Sequence, residues 1–223
     1  MTTKTADQSR ADCEIAMGQE LGAIYAELIQ ELSNIYLVWG QYKILFGTRE
    51  SRVDLLNSAA GGFFGLIQDN IWHQVLLSIS RLTDRPTIAG HATLTVRRLA
   101  DLIADQTTAE AVRAEVDLAM KAQEFCRDWR NNLIGHNNLD MRVNPAARSL
   151  APASERQVDD ALAALAGVLN TLASHYLLPK TLFEDVSDAS ALLYVLHDGV
   201  AARKERQARR EAGIFENDYP RDL

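Results

Sequence analysis

From about Asp12 to Phe46 apolar residues recur at three- and four-residue steps: Ile15, Leu21, Ile24, Leu28, Leu32, Ile35, Val38 and Leu45. That is the period of one helix face, so the spacing predicts a single long amphipathic helix, closed by Gly47. Ser51, with Asp54 three residues later, resembles a capping box and predicts a second helix from Arg52 to Leu82. This stretch is the most apolar of the chain, with Phe63, Phe64, Leu66, Ile67, Ile71, Trp72, Val75, Leu76 and Ile79, and is expected at the centre. Asp69, His73 and Ser80 share one stripe of it, with Asn70, Gln74 and Arg81 beside them, which leaves a side for solvent, a partner or a pocket. Pro86 ends the helix, because proline disfavours helix in the residue before it.

Residues 87–93 read as a loop, followed by a short helix over Thr95 to Ala104. A fourth helix starts near Thr108 and runs through Val112, Val116, Met120, Phe125 and Trp129 to Leu133. Leu139 to Ala153, with Pro145 and Pro152, reads as a linker; Ser154 and Gln157 then give a capping box for a fifth helix through Leu178. A last helix spans Asp188 to Ala212. Strand signals, fixed-period repeats and low-complexity tracts are lacking, so the expected fold class is all-α: a bundle of about five to six helices. One domain over residues 1–213 with a tail over 214–223 is the expected organisation.

Charge narrows the partners. A net charge of −7 argues against gripping nucleic acid by a broad basic face, though not against a local pocket. The basic run Arg203-Lys204-Glu205-Arg206-Gln207-Ala208-Arg209-Arg210 closes the last helix, where the dipole favours cations, and reads as a solvated face. Cys13 and Cys126 lack any metal or redox spacing and read as thiols. With no apolar run near the ~20 residues of a membrane span, the cytoplasm is the expected location.

Candidate chemistry sits at the end of the fourth helix, in Arg127-Asp128-Trp129-Arg130-Asn131-Asn132-Leu133-Ile134-Gly135-His136-Asn137-Asn138. Along a continuous helix, Arg130 and His136 would be rotated by about 240° and separated by about 9 Å, so the helix must end between them. Gly135 suits a left-handed residue at that end. A permanent planar cation and an imidazole titrating near neutrality are what metal-independent RNA cleavage needs, since RNA brings its own 2′-OH nucleophile. The bland alternative is that Arg and His merely complement a helix C-terminus.

Several segments together carry a family resemblance. Asp54-Leu55-Leu56-Asn57, Phe63-Phe64-Gly65-Leu66-Ile67-Gln68-Asp69, Arg81-Leu82-Thr83-Asp84, and Arg127-Asp128-Trp129-Arg130-Asn131 with His136 resemble the HEPN superfamily (higher eukaryotes and prokaryotes nucleotide-binding), in its abortive-infection AbiU-like branch. The resemblance implies a helical homodimer whose two Arg-His motifs meet in a cleft. It implies a metal-independent endoribonuclease that leaves 2′,3′-cyclic phosphates, with no cofactor and no bound metal. The five residues between Arg130 and His136 fall within the four to six of the family motif. Arg130 and His136 take its catalytic positions, and Asn131 that of the polar residue after the arginine. Asn132, Asn137, Arg127 and Arg81 are weaker substrate-binding candidates. The partners implied are RNA, a second copy of the chain and, in a toxin–antitoxin setting, a cognate antitoxin. Two other readings stay open: a non-catalytic nucleotide- or RNA-binding module, and a purely structural dimerising bundle. For Arg81 and Asp84 an ion pair or helix-end cap is preferred over catalysis, for His73 a hydrogen-bonded place at the bundle edge, and for Trp72 and Trp129 the core.

Overall fold

A computed structural model describes residues 5–47, 49–135, 138–139, 143–144, 149–183 and 188–215. The fold is all-α, with seven α-helices among the described residues: α1 Ala6–Met17, α2 Gln19–Tyr42, α3 Glu50–Leu82, α4 Gln106–Ala122, α5 Glu124–Trp129, α6 Glu155–His175 and α7 Ala189–Glu211. Two π-helical turns, Lys43–Gly47 and Arg130–Ile134, and a 3-10 helix, Val96–Leu102, complete them. The helices outnumber the expected five to six because two of those expected are broken.

The first break is Gly18, whose φ of 86° ends α1. Beyond it the chain reverses, and α1 lies so close to α2 that a Cβ on Gly22 would stand 2.4 Å from the Cys13 carbonyl oxygen. Arg10 ties the pair further along, reaching Glu27 at 3.0 Å and Glu14 at 2.9 Å. Ile15, expected on the buried face of one long helix, is 84% exposed, because α1 carries its own face. Thr5 and Gln8 cap α1 reciprocally, a Thr-x-x-Gln capping box present in the sequence. The second break is Gln123, which closes α4 and precedes α5.

Other boundaries also differ from expectation. Helix α3 starts at Glu50, so Ser51 lies inside its first turn instead of capping it. Ala60 has extended φ/ψ within α3 and kinks it. The expected loop after Pro86 contains a minimal antiparallel ribbon, β1 Thr87–Ile88 and β2 His91–Ala92, turned by Ala89 and Gly90 at φ 49° and 83°. Ser154 caps α6 as expected, accepting from the Gln157 backbone N–H at 3.3 Å, but the helix stops at His175, short of Leu178.

The chain divides into two compact units, residues 1–39 with 72–185, and residues 40–71 with 186–223. In the first, α6 supplies a stripe at helical spacing (Val158, Leu162, Leu165, Leu169, Leu172) and packs on α4, where Val112, Val116 and Ala119 are buried. Leu28, Leu32, Trp39, Leu76 and Ile79 complete this core. In the second, Leu45, Leu56, Phe64 and Ala189 form a smaller core with half-buried Ile44, Leu193 and Leu196. Phe63 and Leu66, expected in the core, are 58% and 61% exposed on the single chain. Arg203, expected on a solvated face, donates to the Ser58 and Ala59 carbonyls beside the Ala60 kink, where non-helical backbone leaves oxygens without helical donors.

A three-residue relay joins the start of α4 to the end of α6. The Asp105 carboxylate accepts from the Thr108 N–H at 2.8 Å and its hydroxyl at 2.6 Å, and Thr108 Oγ1 lies 2.6 Å from His175 Nδ1. With the hydroxyl proton given to Asp105, Thr108 accepts from a protonated Nδ1 of His175. These donors hold the Asp105 carboxyl below its ordinary value of 3.8. A carboxyl depressed on folding contributes its stability above the unfolded value, so this contribution is complete at neutral pH and fades as acid carries the pH below about 3.8. Thr108→Val keeps the shape but removes both hydroxyl bonds. Its urea midpoint at pH 7 should fall by the equivalent of about 1–2 kcal/mol, and an unchanged midpoint would show that the relay carries no stability.

Candidate active site

Helix α5 and the π turn after it carry Arg127 to Ile134. In the π turn the Gly135 N–H donates to the Arg130 carbonyl at 2.7 Å, one residue beyond the α-helical partner. Gly135 is right-handed, at φ −85° and ψ −26°, which corrects the left-handed end expected from its type. A Cβ there would sit 3.0 Å from the Arg130 carbonyl oxygen, a tight contact that glycine avoids. The expected end of the α-helix before His136 is therefore met by a widened turn. His136 and Asn137 lie outside the described residues.

Arg130 is three-quarters buried and is clamped by one nitrogen. Its Nη1 donates to Asp84 Oδ1 at 2.5 Å, just past α3, and to Ser80 Oγ at 3.3 Å, in the last turn of α3. Its Nε and Nη2 edge makes no hydrogen bond among the described residues. Arg127 donates from Nη2 to the Thr83 carbonyl at 3.0 Å, so both arginines are seated on Ser80–Asp84. For Arg81 and Asp84 the preferred reading is an ion pair or helix-end cap; Asp84 forms its ion pair with Arg130, and among the described residues none joins it to Arg81.

The other side of α5 is held to the segment before α6. Asp128 Oδ2 accepts from the Ala151 N–H at 2.8 Å, and Trp129 Nε1 donates to the Ala151 carbonyl at 2.9 Å. The Trp129 ring packs on Trp72 and on His73, with centroids 6.2 and 6.1 Å away. His73 was expected to be hydrogen-bonded; among the described residues it makes no hydrogen bond and packs its ring on Trp129 instead. Asn132 is 7% exposed, and its amide donates to the Asp128 carbonyl and carboxylate and accepts from Asn138.

Asn131 is exposed and, with Arg127, Lys121, Gln123 and Asp128, lines an open cavity of about 580 Å³ beside the motif. Arg81 lines a different, polar groove of about 230 Å³ with Gln74, Ser78 and Asn34. The structure thus joins Arg127 and Asn131 at one cavity and sets Arg81 on another. Sequence reading missed Ser80 as a partner of Arg130, and missed Gln123, buried with its Oε1 unpartnered among the described residues. Cys126 lies on the buried face of α5, and burial pushes its thiol up to about 12, which keeps it protonated and unreactive.

The architecture defines an all-α protein with a motif arginine held at a helix-to-π-turn junction. The HEPN AbiU2 family model (AbiU2) matches residues 18–192, more than three quarters of the chain, and the chain belongs to that abortive-infection HEPN family. No curated protein and no solved structure matches it. Among the described residues no helix is long and apolar enough to cross a membrane.

Proposed function

We propose that the protein is a metal-independent endoribonuclease of phage defence or of a toxin–antitoxin pair, acting in the cytoplasm as a homodimer. The observation that carries this reading is the posture of Arg130. One nitrogen of the guanidinium is fixed by Asp84 and Ser80, and the Nε/Nη2 edge stays open, the edge that matches two phosphate oxygens. Such a group is oriented before substrate arrives, which is how charge stabilisation becomes effective in a transition state.

In the reaction His136 takes the proton of the ribose 2′-OH. The 2′-oxygen attacks phosphorus, the bond from phosphorus to the 5′-oxygen breaks, and a second imidazole or water protonates the departing oxygen. The products are a 2′,3′-cyclic phosphate and a 5′-hydroxyl. Arg130 holds the non-bridging oxygens as negative charge builds on them, while Arg127 and Asn131 contact the neighbouring nucleotide at the adjoining cavity. Asn132 positions the turn from within. Exposed Phe63, Leu66, Tyr194 and Val195 are surface of the kind a second copy covers. The competing reading, a nucleotide- or RNA-binding module without turnover, draws support from the same Asp84, which offsets part of the positive charge of Arg130.

Incubating the protein with total RNA and tRNA in EDTA, and mapping the product ends, separates the two. Cyclic phosphate ends support the nuclease; RNA bound but uncut supports the module. Asp84 gives a second test as a positioning residue. Asp84→Ala releases Arg130 and should lower kcat about tenfold with little change in KM, at a stability cost of about 1–2 kcal/mol. Asp84→Asn, which keeps an acceptor oxygen, should recover much of the rate. Full activity in Asp84→Ala would mean that the clamp is irrelevant to turnover.

A further inference from the structure

The segment that clamps Arg130 seats other arginines as well. Thr95, fully buried, places its hydroxyl 3.0 Å from the Leu82 carbonyl oxygen and 2.9 Å from that of Asp84, and the Thr93 hydroxyl donates to the Arg85 carbonyl. Side chains thus fix the chain beyond α3, where no helical ladder does. Onto it Arg127 donates from Nη2 to the Thr83 carbonyl, and Arg98, from the 3-10 helix, donates from Nη1 to the Pro86 carbonyl at 2.9 Å. With Arg130 on Asp84, three arginines from other elements rest on the four successive residues Thr83–Pro86. Arg85 stands among these as a fourth, exposed and without a side-chain hydrogen bond or ion pair among the described residues.

A carbonyl orients a guanidinium without cancelling its charge. Among the described residues Asp84 is the carboxylate paired with any of these four arginines, so in a chain of net charge −7 this short segment gathers uncompensated positive charge. A cation on a carbonyl left open at a helix end is an ordinary feature, and it accounts for Arg127 on Thr83, the residue after α3. It does not account for Arg98, because the Pro86 carbonyl lies beyond the helix end and already accepts from the Thr93 N–H at 3.0 Å. Arg98 is half-buried, spends one nitrogen on that seat, and keeps its remaining N–H groups without partners among the described residues. On the Arg127 side, Asp117, Glu124 and Asp128 line the cavity, which disfavours a further phosphate there. The Arg85 and Arg98 side has no such carboxylate paired to it among the described residues.

We propose that Arg98 and Arg85 form a second phosphate site, which takes the phosphate next to the one held by Arg130, so that the protein binds a strand of RNA through successive phosphates. The inference rests on the reading of Arg130 as a phosphate-holding group. Pro86 follows Asp84 by two residues, about 7 Å of chain at most, so the two seats are close enough to serve neighbouring phosphates of one strand.

The probe is a short fluorescein-labelled 2′-O-methyl RNA, which carries the phosphates and lacks the attacking hydroxyl, so that anisotropy reads binding by the full chain apart from turnover. Arg98→Gln, checked for folding by circular dichroism, should weaken binding about tenfold, the equivalent of one charge-assisted hydrogen bond. Arg85→Gln disturbs no side-chain contact among the described residues and serves as the second variant. Each should lower the slope of log affinity against log salt by about 0.7, the share of one phosphate on a single strand. Arg98→Lys keeps the charge and should keep the slope. Lys204→Gln, which removes the same charge from the second unit, should change neither affinity nor slope. Arg130→Gln separates the second site from the reading beneath it. If Arg130→Gln weakens binding while Arg98→Gln and Arg85→Gln match the parent, Arg130 holds phosphate and the second site is refuted. If the parent does not bind the probe, or all three variants bind it undiminished, both readings fall. An equal loss in Lys204→Gln would reduce the effect to net charge and would also overturn the site.

Discussion

In EDTA, the parent chain is expected to cut RNA to products ending in 2′,3′-cyclic phosphates, and His136→Ala and Arg130→Ala are each expected to do so about 10³-fold more slowly. General acid–base catalysis by a positioned imidazole contributes roughly 10²–10⁴-fold, and a charge-stabilising donor a comparable factor, about 3–4 kcal/mol each. Arg130→Lys is the sharper variant. Lysine keeps the positive charge but has one nitrogen, so it cannot hold Asp84 and Ser80 while offering a two-pronged edge to phosphate. It should recover less than about a tenth of the lost rate. EDTA is in the assay because in the proposed reaction the RNA 2′-OH, the imidazole and the guanidinium together supply nucleophile, proton acceptor and charge stabilisation. Activity lost in EDTA and restored by added metal would contradict the mechanism. Equal cleavage by parent and His136→Ala would mean that the cutting comes from elsewhere.

The parts of this fold that were legible in the sequence are those written in local chemistry. Ser154 capping α6, the end of α3 before Pro86 and the buried stripe of α6 all follow from period and cap residues within one turn. Thr5 with Gln8 carries the same cap signal, but it stands ahead of the apolar period that marks the first helix. Gly18 was ambiguous: within an apolar period one glycine is tolerated in a helix, and only the return of α1 onto α2 makes it a break. The two π turns left no sequence signal, because the shift from an i−4 to an i−5 partner is decided by what the turn packs against. At the site, the sequence pointed to Arg130 and, separately, to an ion pair or helix-end cap at Arg81 and Asp84. That Asp84 is instead the partner of Arg130 depends on bringing residues 46 positions apart together, which no local pattern encodes.

Gly22→Ala is expected to destabilise the first unit by about 3 kcal/mol, near the upper end of what one added methyl costs in a packed site. Two effects oppose each other. Inside a helix alanine is favoured over glycine by about 1 kcal/mol, which alone would make the substitution stabilising. Against it stands the geometry: the added Cβ would meet the Cys13 carbonyl oxygen at 2.4 Å, its carbon at 2.5 Å and the Glu14 Cα at 2.5 Å. All three atoms are backbone of α1, so no side chain can swing aside, and the whole helix must move. Steric overlap of that size outweighs propensity. Thermal unfolding should drop by about 6–12 °C, at 2–4 °C per kcal/mol for a chain of this length. If α1 instead lifts away while the rest stays folded, the melting shift will be small and Cys13, which faces Tyr25 from α1, will alkylate faster. An unchanged melting temperature together with an unchanged Cys13 alkylation rate would show that the two helices do not meet at Gly22.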